Sequence, residues 1–219
     1  MAYIMNGHFG SFQGKIGAVT GRKMKGKFYI HQSITHNSSN TVPQQKQRAK
    51  FKCLAQFMAI FDRITKLTFR KATRGQEGPL NAFSRLNYQA VKPAQQDPST
   101  GEWKAEMDLT KVQLSAGNYE PVKGLVYDEN TSTTLKFSWD DEVGEGTPLD
   151  FVNIVVYCPQ YKEYVCVFRD ASVTRSESEV SISIPTSWMG KDLEGYGWAE
   201  SPEGSKIGAT QYLGTIQPD

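Results

Sequence analysis

From about residue 104 onward, apolar side chains recur at every second position, and this alternation limits the fold more than any other feature of the chain. Leu135, Phe137 and Trp139 share one face of a predicted strand, and Val180, Ile182 and Ile184 share another. Residues 151–157 and 164–168 are apolar on both faces and read as more fully buried strands. Turn signals separate these runs at Asp128-Glu129-Asn130, Gly144-Glu145-Gly146 and Ser201-Pro202-Glu203-Gly204. About seven short strands in roughly 115 residues predict an antiparallel sandwich.

The preceding stretch changes period. Phe51, Leu54, Met58 and Phe61 recur at helical spacing, and Ala55, Phe57, Ile60 and Ile64 widen the apolar stripe. No glycine or proline interrupts residues 44–73, Thr41 can cap the start, and Pro43 is tolerated in a first turn. A helix over about residues 43–73 follows. After Gly75 and Gly78-Pro79, a shorter helix over 80–91 brings Phe83, Leu86, Tyr88 and Val91 back against it, and a polar linker over 95–101 ends the hairpin.

Residues 7–40 are punctuated by Gly7, Gly10, Gly14, Gly17, Gly21 and Gly26. Residues 27–31 read as a strand and residues 16–20 as a weaker one, so a tight hairpin or extended arm is predicted. It carries few large side chains and needs something to lie against. The predicted fold is α+β: a glycine-rich hairpin and a helical hairpin in a basic domain over 1–101, then an acidic antiparallel β-sandwich over 102–219.

The net charge of +2 conceals an asymmetry. Residues 1–100 hold 16 Lys and Arg against 3 Asp and Glu, a balance of +13, whereas residues 101–219 hold 9 against 20, a balance of −11. Such a division points to a polyanionic partner for the first half or to pairing of unlike halves. Arg22, Lys23, Lys25 and Lys27, beside Phe28 and Tyr29, with Lys46, Arg48, Lys50 and Lys52 at the helix start, are the candidate partner contacts.

Leu135 to Trp139 is similar to the second strand of a fibronectin type III or immunoglobulin-like sandwich with its core tryptophan. Leu193-Glu194-Gly195-Tyr196, followed by Gly197-Trp198-Ala199, resembles that fold's tyrosine-corner strand, whose hydroxyl bonds back to the backbone upstream. The whole chain resembles an uncharacterised family of small proteins encoded by Bacteroidota and their phages. The matching features are Gly10-Ser11-Phe12-Gln13-Gly14-Lys15-Ile16-Gly17, Gly26 to Ile30, the helix start Thr41, Pro43, Gln45 and Arg48, and Leu114-Ser115-Ala116-Gly117. That family carries no established activity; in phages, such sandwiches fused to small helical domains occur in capsid decorations, connector rings and tails.

Catalytic signatures fail on context. Gly21 to Lys27 satisfies GxxxxGK, but Phe28 replaces the Ser or Thr that would hold Mg²⁺, and a predicted strand follows instead of a helix. His31 and His36 are five apart, His8 is distant, and no carboxylate lies within 7–40, so no metal is expected. The three cysteines, Cys53, Cys158 and Cys166, lack CxxC spacing and are expected in the core. Asp140-Asp141-Glu142 with Glu145 reads as an acidic surface turn. No run approaches the roughly 18 apolar residues of a membrane span, and no secretory signal is visible at the start. The sequence therefore suggests a structural assembly protein that is not an enzyme and needs no cofactor. The setting would be a phage virion assembled in the host cytoplasm, with copies of itself and other virion proteins as partners. The alternative is a binding module, for nucleic acid through the basic half or for glycans through Trp188, Tyr196 and Trp198.

Overall fold

The computed structural model describes residues 3–4, 12–33, 40–131, 133–141, 144 and 146–218. The chain divides into two compact units, Met1–Gln45 and Lys46–Asp219. The division therefore falls some way before residue 101, where composition changes, and the two predicted helices belong with the sandwich.

The first unit is an antiparallel meander of β1 (Tyr3–Ile4), β2 (Phe12–Ile16), β3 (Val19–Met24) and β4 (Lys27–Gln32), paired in that order. The expected hairpin thus carries a further long strand, and Gly7, Gly10, His8 and His36 lie outside the described residues. The β3–β4 turn is Lys25-Gly26, both at positive φ (48° and 79°), as a two-residue type I′ hairpin requires. At Gly21 the Phe12 ring and carbonyl press so close that a Cβ would sit 2.3 Å from the carbonyl oxygen.

In the second unit the expected long helix is broken in two: α1 (Val42–Ile60, begun in the last residues of the first unit) and α2 (Asp62–Thr68). Phe61 interrupts the helical geometry at φ −102° and ψ 20°. Its buried ring lies 5.3 Å from Tyr157 and 4.9 Å from Tyr164, centroid to centroid. Just beyond, Thr65 and Thr68 donate their hydroxyls to the carbonyls of Phe61 and Ile64, a back-bonding that bends helices. The second helix is shorter than predicted: α3 (Pro79–Asn87) ends in a 3₁₀ turn over Tyr88–Ala90. A two-strand ribbon, β5 (Gln95–Gln96) with β6 (Trp103–Lys104), occupies the expected linker.

The sandwich has a three-stranded sheet in the order β11 (Glu179–Ser183), β8 (Thr134–Ser138), β7 (Val126–Thr131). Facing it is a four-stranded sheet in the order β10 (Glu163–Val167), β9 (Phe151–Cys158), β12 (Leu193–Glu200), β13 (Gln211–Ile216). All pairings within these sheets are antiparallel, and this three-plus-four order is that of an immunoglobulin-like sandwich. Trp139 is in the core, as predicted, donating its indole N–H to the Arg175 carbonyl at 2.9 Å. The edge strand β10 is less buried than its sequence suggests, and Cys166 on it is exposed rather than in the core.

Both faces of the four-stranded sheet are covered. Val152, Ile154, Val156 and Ala199 face Leu135, Phe137 and Ile182 of the other sheet. Val155, Tyr157, Tyr196 and Trp198 face outward into a second core with Leu54, Phe57, Phe61 and Ile64 of the helices. The predicted tyrosine corner consequently takes another form: Tyr196 points into the helical layer, and its hydroxyl donates to the Leu109 carbonyl at 2.9 Å. Burial pushes the Tyr196 pKa well above the phenol range, so this hydroxyl remains a donor.

Two devices tie the helical layer to the sandwich. The buried Asn87 amide brackets Gln113, accepting from its N–H at 2.7 Å and donating to its carbonyl at 2.9 Å. In the motif Leu114-Ser115-Ala116-Gly117, the N–H groups of Leu114 and Ser115 both donate to Thr210 Oγ1 at 2.8 Å. A Cβ at Gly117 would lie 1.9 Å from the Ile207 carbonyl oxygen, so only glycine fits.

Candidate functional site

The ladder of the first unit sorts its side chains. Arg22 pairs with Tyr29, Thr20 with both Lys15 and His31, and Met24 with Lys27, which places these seven on one face. The opposite face holds Phe12, Ile16, Val19, Phe28 and Ile30, with Lys23 over the Phe28 ring at 5.2 Å. The sheet is therefore amphipathic, basic on one side and apolar on the other. Neither side is sealed: Ile16 is 45% exposed, Phe28 39%, Ile30 60% and Tyr29 36%.

The eight cations singled out from the sequence separate accordingly. Arg22 and Lys27 share the basic face, Lys23 belongs to the apolar one, and Lys25 stands in the turn. Lys46, Arg48, Lys50 and Lys52 are in the second unit, along α1. Lys46 and Lys50, one turn apart, lie over the rings of Trp103 (4.6 Å) and Tyr88 (5.5 Å), so aromatic packing engages both. The composition missed this sorting. It becomes visible once the Lys25-Gly26 turn is placed, because period two then separates Arg22, Lys27 and Tyr29 from Lys23 and Phe28.

The charge asymmetry is also redistributed. Residues 1–61 contain no Asp or Glu, and the first unit holds 5 Lys and Arg. The second unit holds the remaining 20 against 23 Asp and Glu, a balance of −3, because the basic helices share its core with the acidic sandwich. Among the described ion pairs, none joins a helical cation to a sandwich carboxylate.

Trp188, Tyr196 and Trp198 are each at most 1% exposed, so none offers a face on which a sugar could stack. The GxxxxGK match spans the end of β3, its turn and the start of β4, where no helix N-terminus stands to receive a phosphate. An apolar groove of about 700 Å³ beside α1 includes Cys53, Glu106, Tyr157 and Lys162. Burial raises the Cys53 thiol and pushes Tyr157 up to about 12, so at neutral pH neither supplies an ionised nucleophile. Among the described residues, no three His, Cys, Asp or Glu side chains gather as metal ligands, and no helix is long and apolar enough to cross a membrane.

A family profile of unknown function, DUF6266, matches residues 11–214, across both compact units. The chain belongs to this family. No curated protein sequence matches it. Among solved structures it is similar to the fibronectin type III domain of the human collagen α-1(XX) chain, at 18% identity and a TM-score of 0.32, over 48% of this chain and 88% of that one. For this DUF6266 member the sandwich assignment rests on strand order and the buried Trp139.

Proposed function

We propose that the protein is a structural assembly component acting through subunit–subunit contacts, and that its setting is a phage virion, as connector-ring, tail or capsid-decorating protein. Its assembly and localisation would follow: built in the host cytoplasm and retained in the particle. The observation that carries the reading is the open apolar face of the first sheet. Ile16, Val19, Phe28 and Ile30 lie together on one face of the sheet and remain 37–60% exposed. Such a face calls for an apolar counterpart. A second copy of the chain is the partner we assign. The first unit, with 5 cations and no carboxylate, complements a second unit whose balance is −3, so a head-to-tail contact between unlike surfaces of two copies is favoured. The motif resemblance to an uncharacterised family of Bacteroidota and their phages supports the virion setting.

Sedimentation velocity on the full chain tests the contact. Self-association is expected, weaker at about 500 mM than at about 50 mM NaCl because the steering charges are screened. Replacing Ile16 and Ile30 by Lys should abolish it. A monomer under every condition would refute assembly from copies of the chain, and capsid and portal genes far from this gene would refute the virion setting.

A further inference from the structure

We propose that the basic face of the N-terminal sheet binds single-stranded nucleic acid, a function separate from the apolar contact on the other side. Lys15, Arg22 and Lys27 stand on three adjacent strands, one on each, and Tyr29 pairs directly with Arg22. With strands about 4.8 Å apart and about 3.3 Å per residue, the three cations fall within a patch of roughly 10 by 13 Å. None makes a described ion pair, and residues 1–61 offer them no carboxylate. All three are exposed and share their face with Tyr29 and Met24, while Ile16, Val19, Phe28 and Ile30 occupy the reverse face.

A sheet face with an exposed aromatic among cations is a stacking platform with an electrostatic track, the combination that holds unpaired bases and their phosphates. A duplex keeps its bases stacked on one another, whereas the exposed ring of Tyr29 offers a surface only an unpaired base can use. An acidic protein surface would satisfy the cations as well, and direct binding of an oligonucleotide with a contribution from the Tyr29 ring separates the two. The cations of α1 stand apart from this patch in chemistry, since Lys46 and Lys50 are already held over aromatic rings.

Fluorescence anisotropy with a labelled oligothymidylate of about 15 nucleotides, titrated with the full chain, tests the assignment. Three phosphate contacts on a single strand predict a log–log salt slope of about −2, or roughly 20-fold weaker binding at about 200 mM than at about 50 mM NaCl. The variant Arg22→Gln/Lys27→Gln should bind more weakly and lose only about 3-fold over the same range. Tyr29→Ala should weaken binding about 5-fold or more and leave the slope unchanged. Lys23→Gln, on the reverse face, should match the parent, and amide protection across residues 12–32 confirms that each variant keeps its sheet. Absence of binding at about 50 mM NaCl overturns the proposal, as does undiminished binding by the double variant. If inorganic polyphosphate of equal charge competes as well as the oligonucleotide and Tyr29→Ala changes nothing, the face is a general polyanion site and the nucleic-acid assignment fails. Sedimentation of the same variants reads the apolar contact independently, so either function can fail while the other stands.

Discussion

Removing the carboxylate of Asp150 should destabilise the sandwich more than any single surface change. Asp150 is fully buried and lies 3.2 Å from the Nε of Arg175, itself 1% exposed. The carboxylate also accepts from the Tyr119 hydroxyl at 2.7 Å, the Thr147 N–H at 2.9 Å and the Thr147 hydroxyl at 2.7 Å. Arg175 in turn donates to the carbonyls of Glu120 and Pro121 at 2.7 and 3.3 Å, so the pair clasps the segment entering the sandwich. Asp150→Ala strands a buried guanidinium and three donors, which should cost about 3–5 kcal/mol. For a unit of this size that corresponds to a fall in Tm of roughly 6–20 °C. Arg175→Met should cost a similar amount by the same logic. Because each single variant leaves an uncompensated charge, the double variant should cost less than the sum of the two, by a coupling of roughly 2–3 kcal/mol. Urea denaturation of the four proteins, followed by tryptophan fluorescence, measures the cycle. Additive losses, or a single-variant loss below about 1 kcal/mol, would refute the claim that the two charges sustain each other.

Four further outcomes follow from the packing and the ion pairs. Gly117→Ala should destabilise the second unit by about 1–3 kcal/mol or more, since the obstacle is the Ile207 carbonyl rather than a movable side chain; thermal denaturation reads it. Gly21→Ala should expose residues 12–32 to hydrogen exchange, and Phe12→Ala should not rescue it, because the clashing oxygen belongs to the backbone. Tyr196→Phe removes the bond to Leu109 and should cost about 1 kcal/mol, measured by urea midpoint, with the sandwich intact. Asp97, held by Lys104 and by the Ser99 hydroxyl and N–H, has its pKa drawn well below the carboxylate range, and Arg85 draws Glu77 down likewise. Groups depressed in this way contribute above the unfolded pKa of about 4 and lose that contribution as pH falls through the folded value, so the amides of Ser99 and Thr100 should hold their shifts to below about pH 4 in an NMR titration.

The sandwich was legible because its strands obey a local rule. Leu135, Phe137 and Trp139 alternate as they pack, and the unbroken apolar run of β9 announces a strand buried on both sides. What covers the second side was not legible, since nothing local to residues 151–157 says that Phe57 and Phe61 arrive from a hundred residues upstream. The interruption at Phe61 was hidden for a related reason: it arises from a ring seated between two tyrosines and from threonine back-bonds, without a glycine or proline to mark it. The candidate site was half legible. Composition found the cations, but their assignment to opposite faces depends on register, which a single turn at Lys25-Gly26 fixes.

The four-stranded sheet, lined by aromatic side chains on the side away from its partner sheet, sets a rule for anyone who would cut this chain into pieces. A fragment beginning near residue 102 would lay Tyr157, Tyr196 and Trp198 bare and should precipitate, however well its strands pair. One beginning just ahead of α1 should stay in solution as a monomeric β-rich particle, and fusion tags belong at that seam.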